Sequence, residues 1–211
     1  ANSNIFSLQC LIEQLPDIPQ KFIFFSTLDV YKPGESEIIT ETTLTEPVSL
    51  YGWSKLYGEK MLEAWARKEN VIIQVLRIGH IYGSGEEKYQ KIIPATIRRV
   101  LEKQPPVIFT KGNELRSFLH ISDCINSVIA SITLDNYEGP INIVSGCALP
   151  VKQIVSTIVN EIDPSITIDI QGNDVPVRNL VFDSSKMRQF LGEELISFED
   201  GIKEEISNFK L

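Results

Sequence analysis

Short apolar runs alternate along the chain with segments whose apolar residues recur at helical spacing. The runs KFIFFST (21–27) and VIIQVLRI (71–78) are rich in β-branched and aromatic residues, as strands covered on both faces are. Between them, residues 50–68 carry apolar side chains at helical spacing, and Ser49 stands at the expected N-cap position. This order of strand, helix and strand predicts a crossover unit of a parallel sheet.

The same alternation continues to the end of the chain and predicts an α/β fold. Further helices are predicted at 5–15, 89–103, about 122–134, 151–162, 184–191 and 198–209, and extended segments at 107–110, 118–121, 140–146, 166–170 and 180–183. A fully apolar strand needs a neighbour on each side, and the chain offers too few parallel strands to supply both. We therefore expect part of a larger sheet to lie outside these 211 residues.

Composition narrows the class of protein. A chain of 211 residues that is 43% apolar can bury one large core or two small ones. A net charge of −8 argues against nucleic-acid binding, and the longest apolar runs are too short to span a membrane. Cys10, Cys124 and Cys147 follow no disulfide or zinc pattern, and no acidic or histidine cluster has metal-ligand spacing. We expect a cytoplasmic protein with reduced thiols and no metal.

Tyr51 and Lys55 form a pair that could carry out acid–base chemistry. Residues four apart share one face of a helix, and an ammonium beside a phenol favours the phenolate form. Such a pair can move a proton on or off a carbinol oxygen during hydride transfer. The spacing alone is common by chance, so two polar residues on a solvated helix face remain an alternative.

The surrounding segments resemble one family in their order and spacing. They are FFSTLDVY (24–31), YGWSKLYGE (51–59), VLRIGHIYG (75–83), GNELRSFLHISDC (112–124), INIVSG (141–146), VRNLVFDSSKMRQFLG (177–192) and SFEDGIKEEI (197–206). Together they resemble the extended short-chain dehydrogenase/reductase family, the NAD-dependent epimerases and dehydratases of nucleotide sugars. The resemblance implies the C-terminal part of a Rossmann-like parallel sheet plus a small α/β substrate-binding domain.

The resemblance also divides the chain and assigns residues. Residues 1–82, with about 118–146 packing back, would belong to the NAD(P)-binding domain, and 83–117 and 147–211 to the nucleotide-sugar domain. The implied catalytic residues are Thr27, Tyr51 and Lys55, and the implied cofactor contacts are Ser26, Tyr51 and Lys55. The implied substrate contacts are His80, Arg116 and Arg178, the arginines gripping a pyrophosphate. Outside the site, Arg77 and His120 are interpreted as structural, and Asp123 as a helix cap.

The chain departs from the family pattern in three segments. Sugar 4,6-dehydratases carry an Asp-Glu pair where this chain has Leu28 and Asp29, so dehydration is disfavoured and epimerisation or ketone reduction remains. Ser117 replaces an aspartate that usually follows the arginine at position 116. His80 replaces a substrate-contacting asparagine, which leaves the identity of the sugar open.

The family's cofactor loop, Gly-x-x-Gly-x-x-Gly, does not occur in the sequence. Only glycine lets the backbone approach the cofactor pyrophosphate closely, and the nearest candidate, GSGEEK (83–88), lacks the third glycine and carries two repelling glutamates. We therefore expect an incomplete NAD or NADP site and an inactive fragment.

Other functions and an assembly are also considered. One alternative is a non-catalytic module that binds nucleotide sugars, and another is an extended-family reductase of a smaller carbonyl compound. The family resemblance implies a homodimer through helices 5–15 and 50–68, with Trp53, Tyr57 and Trp65 as candidate contacts.

Overall fold

The computed structural model describes residues 2–34, 37–173, 177–192 and 194–209. Helices and parallel strands alternate over these residues, which confirms the predicted α/β class. In chain order the elements are α1 (Asn2–Glu13), β1 (Lys21–Thr27), a 3-10 turn (Leu28–Val30), α2 (Leu50–Glu69), β2 (Ile72–Ile78), β3 (His80–Tyr82), α3 (Ile92–Leu101), β4 (Val107–Ile108), β5 (Leu115–His120), α4 (Ile121–Ile132), β6 (Ile141–Ile143), β7 (Ala148–Pro150), α5 (Val151–Ile162), β8 (Asp169–Ile170), α6 (Ser185–Leu191) and α7 (Phe198–Phe209).

Helix α2 carries two of the predicted site residues and is capped at both ends. The side chain of Ser49 accepts a hydrogen bond from Gly52 N at 2.9 Å, as an N-cap does. Asn70 ends the helix in the left-handed conformation (φ 57°, ψ 43°), and its N–H donates to Ala66 O. The predicted helix over 50–68 is therefore confirmed.

A parallel sheet with the strand order β1-β2-β6 positions the first group of site residues. In its register Ser26 pairs with Arg77, and Arg77 pairs with Asn142, so these three residues lie at one level across the sheet. Because the strands are parallel, their carboxyl ends share one edge of the sheet. Within the described ranges β1 has a paired strand on one side, and Phe25 is 52% exposed. This agrees with the expectation that the chain supplies too few strands to flank β1 on both sides, and coverage of both its faces stays a prediction.

The helix α2 packs its apolar side against the sheet. Ala66, Val71, Ile73 and Val75 form a buried cluster there, with partly buried aromatic residues around it. Among these, Trp65 packs edge-on against Phe22 with 5.9 Å between ring centroids. Trp65 was a candidate dimer contact that could equally face the sheet, and its packing against Phe22 agrees with the second alternative.

A second core joins three helices. Helix α5 packs against α3 and α7 around a buried cluster that contains Tyr82 and is otherwise made of isoleucines. Beside it, β5 pairs in parallel with β3 and antiparallel with β7, and β4 pairs in parallel with β8. These pairings hold residues 80–82, 115–120 and 148–150 together.

The chain separates into two compact units. The described residues of Ala1–Gly79, Ile125–Val144 and Asp183–Glu193 form the first unit, and those of His80–Cys124, Ser145–Phe182 and Glu194–Leu211 form the second. The predicted division differs from this in placing 80–82 and 118–124 in the first domain and 183–192 in the second. The difference arises because β3 pairs with β5, and because α6 packs against β6. The cofactor and substrate roles assigned to the two domains stay predictions.

Two predicted strands are corrected. Residues 180–183 form no strand in the part of the chain that is described, because the ladder position of Leu115 N is taken by the side chain of Asn179 at 2.9 Å. Isolated main-chain bonds remain, from Leu180 N to Leu115 O and from Asp183 N to Ile39 O, and Phe182 forms a single bridge. The strand predicted over 166–170 is reduced to Asp169–Ile170.

Candidate functional site

The carboxyl end of β1 holds Ser26 and Thr27, the hydroxyl residues that the sequence places there. Thr27 is half-buried, and its Oγ1 accepts a hydrogen bond from Asp29 N at 3.3 Å, which caps the 3-10 turn. Ser26 is buried, and its Oγ donates to Glu59 Oε1 at 2.5 Å. Because the proton of the Ser26 hydroxyl is donated to Glu59, the predicted cofactor contact from Ser26 would have to use its main chain or accept a hydrogen bond at Oγ.

The start of α2 lies against the 3-10 turn through Gly52. A Cβ atom at Gly52 would lie 2.4 Å from Asp29 O and 2.8 Å from Pro47 Cβ, far inside van der Waals contact. Glycine is therefore required for this approach. It brings Tyr51, whose side chain is 46% exposed, to the end of β1 that carries Thr27.

Lys55 links the helix to the strand. Its Nζ donates to Phe25 O at 2.8 Å and lies 5.9 Å from the centroid of the Tyr51 ring and 5.1 Å from that of Phe24. Burial lowers the pKa of the Lys55 ammonium. The prediction that Tyr51 and Lys55 lie side by side on one helix face is confirmed, and their chemical roles stay predictions.

Sequence reasoning missed a buried polar network beneath this site. Arg77 donates from Nε to Glu59 Oε1 at 3.0 Å and from NH2 to Glu59 Oε2 at 2.7 Å. Its NH1 donates to the hydroxyl of Tyr31 at 2.9 Å, and that hydroxyl donates to Asn142 Oδ1 at 2.6 Å. Burial raises the pKa of Tyr31, so the phenol remains a hydrogen-bond donor. The interpretation of Arg77 as structural agrees with these contacts. The sequence did contain a signal for this network: Arg77 lies within an apolar strand, and Glu59 follows Lys55 by one helical turn.

A cavity of about 630 Å³ opens within the second unit. Its walls combine apolar, aromatic and charged side chains, which suits a ligand with a flat ring and polar substituents. The lining includes His80, Thr96, Arg99, Phe109, Glu114 and Arg116. Two of the three residues predicted to contact substrate, His80 and Arg116, are therefore on its wall.

The two predicted substrate arginines lie next to each other. The NH1 group of Arg116 donates to Arg178 O at 2.6 Å and to Leu115 O at 2.9 Å. Burial lowers the pKa of Arg116, Glu114 opposes the shift, and the nearby charge of Arg178 adds to it. The charge of Arg178 is near enough to disfavour the charged form of Arg116, and an anion beside the two residues would relieve this repulsion.

Two other predicted assignments concern the second unit. Asp123 does not cap α4 from outside, as was predicted, because the helix begins at Ile121 and Asp123 lies in its first turn. Its Oδ2 accepts a hydrogen bond from Ile196 N at 3.0 Å, and burial raises the pKa of Asp123. His120 is buried with its ring 5.2 Å from that of Tyr82, which agrees with a structural role.

The described residues contain neither a candidate metal site nor a candidate membrane-spanning helix. No group of three or more His, Cys, Asp or Glu residues among those described could hold a metal ion. In the same residues, no helix combines the length and apolar character needed to cross a membrane.

Comparison with known proteins identifies a protein family that matches this chain. A model of the NAD dependent epimerase/dehydratase family matches residues 3–144, more than half of the chain. An uncharacterized UDP-glucose epimerase of Bacillus subtilis, YtcB, is 29% identical over 98% of this chain and 66% of its own length. A dTDP-4-dehydro-6-deoxyglucose reductase of Escherichia coli is 24% identical over 98% of this chain and 67% of its own length.

A solved structure is similar over the same extent. The UDP-glucuronic acid 4-epimerase of Bacillus cereus, crystallised with UDP-glucuronic acid and NAD, superposes with a TM-score of 0.84 and 29% identity. The match covers 98% of this chain and 67% of that enzyme. The chain therefore spans about two thirds of the length of these relatives, and the α/β fold is that of a nucleotide-sugar epimerase.

Proposed function

Because the chain belongs to the NAD dependent epimerase/dehydratase family, we propose that the intact protein is an NAD- or NADP-dependent epimerase or reductase of a nucleotide sugar. The observation that carries the proposal is the placement of Lys55, whose ammonium is bonded to Phe25 O and lies beside the Tyr51 ring. A phenol and an ammonium at the carboxyl end of a parallel strand, where such folds bind ligands, support a role for the two residues in proton transfer.

The residues present fit the nicotinamide half of the cofactor. An ammonium has three N–H groups, and one of those on Lys55 is donated to Phe25 O. The other two are available for the hydroxyl groups of a ribose, since no second hydrogen-bond acceptor of Lys55 occurs among the described residues. When bound, the nicotinamide would accept or supply the hydride.

The roles of three side chains follow from their positions. The phenol of Tyr51 would give its proton to, or take one from, the reacting oxygen of the sugar, while the charge of Lys55 stabilises the phenolate form. The hydroxyl of Thr27, at the end of β1, would donate a hydrogen bond to the same oxygen. Tyr51 can serve in this way because its side chain is half-exposed.

The second unit would bind the nucleotide part of the substrate. The cavity of about 630 Å³ is large enough for a nucleoside, and Phe109, exposed on its wall, offers a ring on which a base can stack. Arg116 and Arg178 would hold the diphosphate by charge-assisted hydrogen bonds. His80, also on this wall, would contact the substrate near the same region.

Position 28 bears on the reaction class. Leu28 is buried in the 3-10 turn directly after Thr27, where the dehydratases of the family place a carboxylic acid. An apolar side chain cannot protonate a leaving hydroxyl group. We therefore propose epimerisation or ketone reduction rather than 4,6-dehydration.

The cofactor site needs more than these residues. The 211 residues contain no Gly-x-x-Gly-x-x-Gly loop, so a contact of that kind with the cofactor pyrophosphate has to come from outside them. We propose that this chain alone does not turn over and that the intact protein does. A cytoplasmic location also stays a prediction from the sequence.

The proposed homodimer uses α1 and α2. These helices pack against each other, and four large apolar side chains on them are exposed: Phe6, Leu11, Trp53 and Tyr57. A surface of this kind on adjacent helices favours pairing with a second copy. In the intact protein, replacing Trp53 and Tyr57 by glutamate should convert a dimer to a monomer by light scattering. An unchanged mass would refute the dimer.

A substrate panel tests the activity itself. The intact protein with NAD or NADP is incubated with UDP-glucose, UDP-glucuronic acid, dTDP-glucose and a 4-keto dTDP-sugar, and products are separated by chromatography. Epimerised or reduced sugar supports the proposal. Calorimetric binding without turnover would indicate the non-catalytic module, and reduction of small carbonyl compounds alone would indicate the smaller-substrate reductase.

A further inference from the structure

A row of polar residues crosses the β1-β2-β6 sheet, one residue before the carboxyl ends of its strands. Ser26 on β1, Arg77 on β2 and Asn142 on β6 are register partners. Each stands immediately before the last residue of its strand. Side chains from outside the strands join this row by hydrogen bonds. Glu59 links Ser26 to Arg77, and Tyr31 links Arg77 to Asn142. The row therefore lies directly below the strand end that carries Thr27.

Glu59 is the point where helix α2 meets this row. Its side chain has no solvent exposure, and Arg77 is 3% exposed. One carboxylate oxygen of Glu59 accepts hydrogen bonds from both Ser26 and Arg77, and the other accepts a second bond from Arg77. The glutamate thus bridges two neighbouring strands at a single register level.

The spacing along α2 connects this bridge to the proposed chemistry. Tyr51, Lys55 and Glu59 follow one another at intervals of four residues and share one face of the helix. On β1, Lys55 bonds to the oxygen of Phe25 and Glu59 bonds to the hydroxyl of the next residue, Ser26. Two successive positions of the strand are therefore tied to two successive turns of the helix.

Arg77 connects the hydrogen-bond network to the chain beyond the 3-10 turn. Its NH1 holds the hydroxyl of Tyr31, the residue that follows this turn. The turn itself begins after Thr27, so the network of Ser26, Glu59, Arg77 and Tyr31 fixes the chain on both sides of it.

We propose that Glu59 and Arg77 are positioning residues, which set the register of α2 on β1 so that Lys55, Tyr51 and Thr27 converge. Stability alone does not account for such a pair, because burying two charges costs about as much as their attraction returns, and packed apolar residues often serve as well or better. The hydrogen bonds are directional, and an apolar pair would not specify where the helix stands along the strand.

A double substitution separates positioning from stability. In the intact protein, E59M/R77M replaces the ion pair by apolar side chains of similar length and removes the bonds that Glu59 and Arg77 make with the hydroxyl groups of Ser26 and Tyr31. The matched control is K60M/E63M, which removes an ion pair of 2.9 Å on the same helix together with the hydrogen bond from Tyr137 to Glu63. Both variants are checked for folding by near-ultraviolet circular dichroism.

The first readout does not depend on catalysis. The Lys55 ammonium is titrated by NMR of isotopically labelled lysine side chains, with K55R to assign its signal. Burial against β1 lowers the pKa of Lys55 from its ordinary 10.5. In E59M/R77M this pKa should rise toward 10.5 as the contact with Phe25 O loosens, and in K60M/E63M it should stay at the wild-type value.

The second readout rests on the proposed function. With cofactor and a substrate that the wild type turns over, kcat of E59M/R77M should fall about a hundredfold, the scale expected for a displacement near 1 Å. KM should change little, since neither residue is placed in the substrate cavity. The control should keep both constants.

The outcomes are distinguishable. A folded E59M/R77M variant with unchanged Lys55 pKa and unchanged kcat would overturn the positioning role. If that variant does not fold, E59D and R77K, which keep both charges but alter the bonding geometry, are measured in the same way, and wild-type values in both would overturn it. If the wild type turns over no nucleotide sugar, the proposed function fails, and the Lys55 titration alone decides on Glu59 and Arg77.

Discussion

The guanidinium of Arg116 donates a hydrogen bond to the main-chain oxygen of Arg178 at 2.6 Å, so two arginines that are 62 positions apart in sequence are held together. The bond orients Arg116 and brings its charge close to that of Arg178. A guanidinium at the wall of a cavity, with a second one nearby, is suited to bind a diphosphate. Arg116 also lines that cavity, which connects the anion site to the space proposed for the nucleoside.

Removing either guanidinium should weaken nucleotide binding. Charge-assisted hydrogen bonds contribute about 1.5–3 kcal/mol each, so R116A should raise the Kd of UDP-glucose about tenfold to a hundredfold in calorimetry on the intact protein. R178A should act in the same direction. The control K103A removes a cation of the same unit that pairs with Asp163, and it should bind as the wild type does. Equal affinity in R116A and the wild type would refute the anion site.

Replacing only one member of the buried Glu59–Arg77 ion pair should lower the free energy of unfolding strongly. R77M leaves the carboxylate of Glu59 without a charged partner, and E59M leaves the guanidinium of Arg77 without one. Each single variant should lose about 3–5 kcal/mol of unfolding free energy in urea, whereas E59M/R77M should lose much less. A double variant as unstable as the sum of the two single variants would show that the residues are not energetically coupled.

Glu205 should make the protein less stable as the pH rises. Its side chain is buried, and no described residue meets hydrogen-bond geometry with either carboxylate oxygen. Burial raises the pKa of Glu205 above its ordinary 4.5; the amide of Asn208 opposes the shift, and Glu86, Glu87 and Glu204 add to it. Above pH 4.5 the unfolded chain releases this proton before the folded chain does. The free energy of unfolding therefore falls as pH rises from 4.5 to the folded pKa.

The matching experiment compares two glutamates on α7. At pH 7, E205Q should exceed the wild type by about 1–3 kcal/mol of unfolding free energy, because the amide occupies the same buried position without the charge of the carboxylate. This advantage should shrink at pH 4, where both forms of the wild type hold the proton. E204Q, at a position exposed to solvent, should stay within about 0.5 kcal/mol. A loss of stability in E205Q at pH 7 would mean that the carboxylate is favourably bound.

Gly52 should tolerate no side chain. The added Cβ of G52A would meet the fixed main-chain oxygen of Asp29 at 2.4 Å, so the start of α2 must move. We expect a loss of about 1–3 kcal/mol in denaturation, although alanine is the better helix former. G58A is the control, because its closest contact, at 2.8 Å, is the tip of the Phe24 ring, which can shift. Equal stability of G52A and the wild type would refute this close approach.

The sequence predicted the elements that local patterns specify. The Ser49 cap and helical apolar spacing predicted α2, and the apolar run at 71–78 predicted β2. The strand expected over 180–183 was wrong because a side chain, Asn179, takes the ladder bond, and periodicity does not register such competition.

The candidate site was predictable only in part. Tyr51 and Lys55 could be paired from their spacing, since the helix alone sets it. The bridge from Glu59 to Ser26 and Arg77 could not, because it depends on the register between two strands and on where the helix lies across them. Residue patterns show a glutamate on a helix and an arginine in a strand, and the fold alone brings the two together.

The most direct test is turnover by Y51F in the intact protein, with cofactor and a nucleotide sugar that the wild type converts. Loss of a general acid–base group should lower kcat about 10²–10⁴-fold with little change in fold, because the Tyr51 side chain is half-exposed. Y57F removes a hydroxyl from a similarly exposed tyrosine on the same helix, and it should keep wild-type kcat. Unchanged turnover in Y51F would contradict the assignment of Tyr51 as the proton-transfer residue.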